Sequence, residues 1–474
     1  FSDVWLWGEW PDRWGTDTGI DLVAREAATG DYWAIQCKFY LPEHQVSKKD
    51  IDTFLATSGK RFSTSDGEHT FTNRLIVSTT DRWNSIAEKT LENQTVPVER
   101  MTMGDLEQSP VDWSSFSLNR PDVMQVSDKK TLDAHQVEAS DRVAAGFAEH
   151  DRGKLIMACG TGKTFTALRL MERLVPPGGR VLFLAPSISL VSQSLREWTA
   201  DAETPFHPMV VCSDTKVGRD DEDTRVHDIP YPATTDATKL AQASKVLHQH
   251  NPAQRTIVFS TYQSIQVVSD AQKQGLGEFD LIICDEAHRT TGLTRSGDPD
   301  SEFVKVHQDA YIKGKKRLYM TATPRIFADA SKEKAKEKDA TLFSMDDEAR
   351  FGPQFHRLGF GEAVRKGLLC DYRVLLVAVD ESNMGNILNT YSASLGDEEE
   401  PPKAVDTRFV SKIFGAWKGL AKKDVSLVDE DGEEKAPEYD QRPMKRAIAF
   451  SSSIKNSKTL TDTFPDLIDL YRRE

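Results

Sequence analysis

Apolar runs of strand length recur along this chain, and what lies between them divides it into three blocks. Over residues 1–113, GIDLVARE, DYWAIQCKFY and RLIVSTT predict strands and WNSIAEKTLEN predicts a helix. The stretch SPVDWSSFSLNRPDVMQVSDKK has no period and is rich in Ser, Pro and Asp, so residues 114–130 read as a linker. From 131 to 370 the runs are shorter and wholly apolar: KLIMA, RVLFLAP, TIVFST, DLIICDEAH and RLYMTATP, with helical patterns between them. Strands without a polar face are buried on both sides, which predicts a doubly wound parallel sheet with helices on both faces. The third block, 371–474, has strand-like runs at YRVLLVAVD (372–380) and RAIAFSS (446–452). The expected fold class is α/β throughout.

Composition narrows the setting. A chain of 474 residues exceeds one hydrophobic core and implies roughly three domains. No stretch approaches the ~20 apolar residues of a membrane helix. The start, FSDVWLWGEWPDRW, has neither a basic leader nor an apolar signal core, so a cytoplasmic protein is expected. The five cysteines are scattered and form no C-x-x-C pair, which points away from zinc and disulfides and towards a reducing compartment. A net charge of −14 excludes a uniformly basic coat, so any nucleic-acid binding has to come from local patches. Acidic runs such as GDEEEPP (396–402) and VDEDGEEKAPEYD (428–440) read as solvated loops.

Two stretches carry chemistry. LIMACGTGKTF (155–165) is a strand running through glycines into a helix, which puts the backbone N–H groups of Gly160, Thr161, Gly162, Lys163 and Thr164 around a phosphate. Lys163 would reach the β and γ phosphates of ATP and Thr164 would ligate Mg2+. Met157 stands where the usual pattern has glycine, but at the strand exit, outside the anion nest. Downstream, DLIICDEAH sets Asp285 and Glu286 at the carboxyl end of an apolar strand. There Asp285 can hold magnesium and Glu286 can orient or deprotonate the attacking water.

With LDAHQ, ACGTGKT, FLAPSISLVSQ, STYQS, DEAH and MTATP in this order, residues 131–370 resemble the superfamily 2 helicases and translocases of DEAH-box type, whose lobes are RecA-like. The resemblance implies that Gln136 reads adenine, and that Ser187, Ser260 and Thr261 lie near a nucleic-acid backbone. It also implies that His288 couples nucleotide state to Thr321 and Thr323. Members of that family commonly lack glycine at the place of Met157.

The motor leaves residues 1–113 unexplained. GID (19–21) is taken to end one strand region, and WAIQCK (33–38) is a strand in which Gln36 and Lys38 share a face while Cys37 takes the other. The Asp21 carboxylate, the Gln36 side-chain oxygen and a backbone carbonyl are hard ligands suited to magnesium. Lys38 would then orient water or steady developing phosphate charge. Taken alone, D…QxK equally suits a plain hairpin with a solvated lysine.

In its context the block is similar to the Mrr-type branch of the PD-(D/E)xK nucleases, with Glu9 as a possible further acid. A nuclease of that kind, a linker, a DEAH motor and the segment FGPQFHRLGFGEAVRKGLLCDYRV together resemble the front half of type ISP restriction-modification enzymes. That resemblance implies ATP-driven movement on double-stranded DNA, with methyltransferase and target-recognition domains in the same parent polypeptide. S-adenosylmethionine is then a cofactor only if the methyltransferase lies in a missing part, since no such signature is present here. The second lobe stops after AIAFSSSI, before the motifs that supply an arginine finger, so a fragment that binds ATP but turns it over poorly is expected. Two alternatives stay open: the motor subunit of a type I restriction complex, and a DNA-remodelling ATPase whose first block is only a docking module.

Overall fold

The computed structural model describes every residue except 16–18, 28, 93, 118, 119, 121–123, 214–225, 296–301, 338, 339, 372–406, 423–426, 429–433, 436–441, 452, 453 and 474. It separates into two compact units, Phe1–Cys370 and Asp371–Glu474.

The first unit opens with six strands: β1 (Asp3–Leu6), β2 (Leu22–Arg25), β3 (Tyr32–Lys38), β4 (Arg61–Thr64), β5 (Gly67–Ser78) and β6 (Val98–Met101). They form one sheet in the order β1-β2-β3-β5-β4, with β6 also on β5. β1, β2 and β3 are antiparallel neighbours, whereas β3 and β6 both run parallel to β5. Helices α1 (Lys48–Thr57), α2 (Ser85–Leu91) and α3 (Met103–Glu107) accompany it. Ser47 and Asp50 close a capping box on α1, which then buries Ile51 and Phe54, three residues apart, in a core with Trp7, Trp10, Tyr32 and Phe71. Each of these two side chains contributes roughly 2 kcal/mol by its burial. Phe54→Ala would remove that and leave a cavity.

Next come α4 (Ala134–Glu149), α5 (Lys163–Leu174), α6 (Ile188–Asp201) and α7 (Ala237–His250), interleaved with strands β7 (Arg152–Met157), β8 (Arg180–Ala185), β9 (Phe206–Val211), β10 (Arg255–Thr261), β11 (Leu281–Cys284), β12 (Gly292–Arg295), β13 (Arg317–Thr321), β14 (Ala340–Phe343) and β15 (Gln354–Leu358). Seven of these strands make a wholly parallel sheet, β15-β7-β13-β11-β8-β10-β9. The apolar runs explain it. Along β8, Val181, Phe183 and Ala185 enter one core cluster while Leu182 and Leu184 enter another, so both faces are covered. Met157 is the last residue of β7 and fully buried in the first cluster.

In the second unit the described helices Thr407–Ala421 and Ile454–Arg473 pack on each other and bury Ile413 and Trp417. The run 372–380 lies outside the described residues. The strand expected at 446–452 does not form over its described part, 446–451. Ile448 and Phe450 are 85% and 94% exposed there, and no strand among the described residues pairs with them. An apolar run without a neighbour to pair with cannot satisfy its backbone as a strand.

Candidate functional site

The carboxyl ends of β7, β13 and β11 lie side by side, and the segments leaving β7 and β11 meet in one cleft. Its volume is about 600 Å³, and its walls include Gln136, Gly160, Gly162, Lys163, Thr164, Asp285 and Glu286. Gly160 and Gly162 have φ of +80° and +78°, values that turn successive N–H groups towards a single point. Conformation is what requires glycine at 162; a Cβ there would also stand 2.2 Å from Gln136 Nε2 and make that amide shift. Thr161 faces inward, its hydroxyl donating to Ala158 O at 2.7 Å. Lys163 and Thr164 begin α5 at the positive end of its dipole.

Gln136 is buried beneath this loop. Its Oε1 accepts from the Asp133 N–H at 2.9 Å, and its Nε2 donates to Thr161 O at 3.3 Å. In this geometry the amide ties the start of α4 to the phosphate loop.

Asp285 is held by its backbone: its N–H donates to Leu184 O, and its carbonyl accepts from the Tyr262 hydroxyl, both at 2.8 Å. Burial, with Glu286 beside it, pushes the Asp285 carboxyl up to about 6. Its Oδ1 has no hydrogen-bond partner among the described residues. A buried carboxylate oxygen left over, in the same cleft as the Thr164 hydroxyl, fits a divalent cation. Glu286 has φ +46°, ψ +47°, a left-handed conformation that costs a non-glycine residue on the order of 1–3 kcal/mol and gathers at functional sites. His288 is two residues on: its Nδ1 is 3.3 Å from Glu286 Oε2 and 3.0 Å from Thr321 Oγ1, and Thr321 Oγ1 in turn accepts from the Thr323 N–H at 3.2 Å.

Ser187, partly exposed, caps α6 by accepting from the Leu190 N–H. Ser260 and Thr261 are fully buried, with hydroxyls donating to Thr261 O and Ser264 Oγ. Of these three hydroxyls, only Ser187 is open to a phosphate in this conformation.

In the smaller sheet Asp21 stands immediately before β2 and therefore starts a strand, where the sequence pattern had it ending one. The reason is pairing: β2 runs antiparallel to β3 with Leu22 opposite Ile35, and the Asp21 N–H donates to Ile35 O. Extending the register by one residue sets Asp21 opposite Gln36 on the same face, with Lys38 two residues on. Asp21 Oδ2 accepts from the Cys37 N–H at 2.7 Å. Gln36 Nε2 donates to Gly19 O at 2.8 Å, which fixes the amide and leaves its buried Oε1 without a partner among the described residues. That leftover oxygen and the Asp21 carboxylate fit a magnesium ion. Glu9 is exposed in the turn after β1, and no hydrogen bond ties its side chain to this group among the described residues.

Helix α6 carries the end of FLAPSISLVSQ, and its residues beyond Gln193 lie outside every motif read from the sequence. Leu190, Gln193, Ser194 and Glu197, at spacings of three and four, line the nucleotide cleft, and Gln193 donates to Glu197 at 2.9 Å. Arg196 emerges from another side of the same helix and pairs with Asp105 of α3 at 2.7 Å. Nearby, Arg100 of β6 contacts Glu88 at 2.8 Å and Asp228, lies 4.7 Å from the Trp83 ring centre, and His227 holds the other Glu88 oxygen at 3.0 Å. The two sheets are thus joined by charged pairs between residues 83–105 and 196–228. The helical spacing on α6 is legible in the sequence, but nothing there names its partners.

The family model described as "Restriction endonuclease", of the Mrr type, matches residues 1–123, and that of "Type III restriction enzyme, res subunit" matches 129–326. The structure of an ATP-dependent type ISP restriction-modification enzyme, LlaBIII, bound to DNA superposes with a TM-score of 0.79 at 39% identity, over 99% of this chain and 29% of that one. The chain thus carries a restriction-endonuclease domain and a res-subunit domain in series and is similar to a type ISP enzyme. Among curated relatives, the chain is 28% identical over 247 residues to a probable helicase of African swine fever virus (isolate Pig/Kenya/KEN-50/1950), covering 52% of this chain and 24% of the relative. It is 26% identical over 255 residues to the endonuclease subunit of the type I restriction enzyme EcoAI of Escherichia coli, covering 53% and 25%. The chain therefore spans about a quarter of the length of these relatives. No helix among the described residues is long and apolar enough to cross a membrane.

Proposed function

We propose that the chain is the nuclease and first motor portion of an ATP-dependent restriction endonuclease that moves along double-stranded DNA and cuts its backbone. The observation that carries this reading is the pairing of two separate centres in one compact unit: the cleft of Gln136, Gly160–Thr164, Asp285 and Glu286, and the face of Asp21, Gln36 and Lys38. The division proposed is nuclease 1–113, linker 114–130, first RecA-like lobe 131–370 and residues of a second lobe from 371 to 474.

In the motor cleft the loop amides and Lys163 bind the phosphates of ATP, while Glu286 orients and deprotonates the attacking water. His288 carries the change at Glu286 to Thr321 and Thr323. In the nuclease, Lys38 orients the attacking water or steadies charge on the scissile phosphate, beside the oxygen ligands of Asp21 and Gln36. Magnesium, held by Thr164 and Asp285 in one centre and by Asp21 and Gln36 in the other, supplies charge neutralisation when bound.

The type ISP reading is favoured over a type I motor subunit because the likeness to the type ISP structure runs through 99% of the chain. Methyltransferase and target-recognition domains, with S-adenosylmethionine, then belong to the same parent polypeptide, and the setting is cytoplasmic. The test is cleavage of a long linear duplex by the parent protein with ATP, with a non-hydrolysable analogue, and with EDTA. Cutting only with ATP and magnesium is expected; cutting that ignores the nucleotide would remove the motor from the account.

A further inference from the structure

Three consecutive residues of α6 meet three different partners. Arg196 pairs with Asp105 of the first block, Glu197 lines the nucleotide cleft, and Trp198 is fully buried with its indole N–H donating to Thr164 O at 3.0 Å. The Trp198 bond fixes α6 against the residue whose hydroxyl is offered to magnesium, so Glu197 is held at that side of the cleft. Gln193, one turn back, donates to Glu197 Oε1 at 2.9 Å and steadies the carboxylate. On an open helix face such a pair would be an ordinary surface contact. Here Glu197 is partly buried, and no basic side chain pairs with it among the described residues. Its charge also reaches across the cleft: burial and Glu286 push the Asp285 carboxyl up, and Glu197 adds to the same rise.

The charges lining the cleft do not balance. Asp133 caps α4 and Lys130 pairs with Asp201 at 2.8 Å, which leaves three carboxylates, Glu197, Asp285 and Glu286, against the single ammonium of Lys163. That surplus of negative charge would repel the phosphates of a nucleotide unless a divalent cation enters with them. The buried Asp285 Oδ1, without a partner among the described residues, is one oxygen open to the cation. Magnesium takes few protein carboxylates directly and keeps several of its waters, so an acid farther out has bound water to hold. A carboxylate accepts up to about four hydrogen bonds, and the one from Gln193 leaves room for that water.

We propose that Glu197 is a positioning residue of the nucleotide centre: it accepts hydrogen bonds from water on the magnesium that Thr164 and Asp285 hold, and so orients that metal against the phosphates. The inference rests on reading Thr164 and Asp285 as the magnesium ligands. Groups that act on a metal through its outer shell typically set about ten- to a hundredfold of its affinity.

The test uses the full parent protein with Glu197→Gln, which keeps the shape and loses the charge, and Glu197→Asp, which keeps the charge. The readout is the affinity for a fluorescent ADP analogue as magnesium is titrated, and again in EDTA. Glu197→Gln should raise the magnesium concentration for half-maximal binding at least about tenfold and leave the affinity in EDTA within about twofold of wild type. Glu197→Asp should stay close to wild type in both. Unchanged magnesium dependence in Glu197→Gln would overturn the proposal. So would an equal loss of affinity with and without magnesium, which would put Glu197 on the nucleotide itself. Unchanged magnesium dependence in both Thr164→Ala and Asp285→Asn would instead overturn the metal centre on which the inference rests.

Discussion

His288 Nδ1 lies 3.0 Å from Thr321 Oγ1, bridging the segment after β11 to the end of β13. The same nitrogen is 3.3 Å from Glu286 Oε2, so one imidazole touches both the candidate base and the strand that leads to Thr323. Burial holds the His288 pKa below its ordinary value, which keeps the ring neutral at physiological pH. His288→Ala should therefore leave ATP binding intact and cut the coupling. ATP turnover within a few fold of wild type, with triplex displacement from duplex DNA slowed at least about tenfold, is the expected pair of results in the parent protein.

Glu286 is the group that should activate water, and its left-handed backbone supports a role that packing alone does not require. Glu286→Gln keeps shape and loses the base. DNA-stimulated ATP turnover should drop roughly a hundredfold or more, while nucleotide affinity, read by fluorescent ATP titration, stays near wild type. Retained turnover would assign the base elsewhere.

Arg100 is nearly buried between Glu88 and Asp228, so Arg100→Ala removes the cation that both carboxylates share. A loss of about 3 kcal/mol in urea unfolding is expected. The pH dependence comes from Glu88. Burial alone would raise its pKa, but the hydrogen bond from His227 and the Arg100 guanidinium outweigh it and pull the carboxyl from 4.5 to about 2. A carboxyl depressed in the folded state stabilises above its unfolded pKa and loses that contribution as pH falls through the folded one. The stability gap between wild type and Glu88→Gln should be level above about pH 5 and close between about pH 4.5 and 2.

How much of this is legible in the sequence depends on what each feature needs. The strands ending at Met157, Cys284 and Thr321 are apolar on both faces, and burial on both faces is what a parallel sheet requires, so their runs announce them. Gly160, Gly162 and Lys163 obey the same logic, because an anion nest needs those residue types in that order. Edge strands β9 and β15 are not legible: Phe206–Val211 and Gln354–Leu358 mix polar and apolar positions, and only their neighbours decide that they pair. The direction in which Asp21 meets its strand escapes the sequence for the same reason, since antiparallel register with β3 is a tertiary fact. The burial of Ser260 and Thr261 follows from the strands β8 and β9 on either side of β10, and Arg196 meets Asp105 across 91 residues, so no local pattern encodes either.

One chain carries, on this reading, two separable engines: a magnesium nuclease on Asp21, Gln36 and Lys38, and an ATP motor on Lys163, Asp285 and Glu286. The measurement that tests this most directly is a paired assay on the full parent protein: ATP turnover and cleavage of a long DNA with target sites, for Asp21→Ala, Lys38→Ala and Lys163→Ala. Asp21→Ala and Lys38→Ala should both lose cleavage and keep near-normal ATP turnover, whereas Lys163→Ala should lose turnover and distant cleavage together. Undiminished cleavage by both Asp21→Ala and Lys38→Ala would contradict the account and reduce the first 113 residues to a docking module on a DNA-remodelling ATPase.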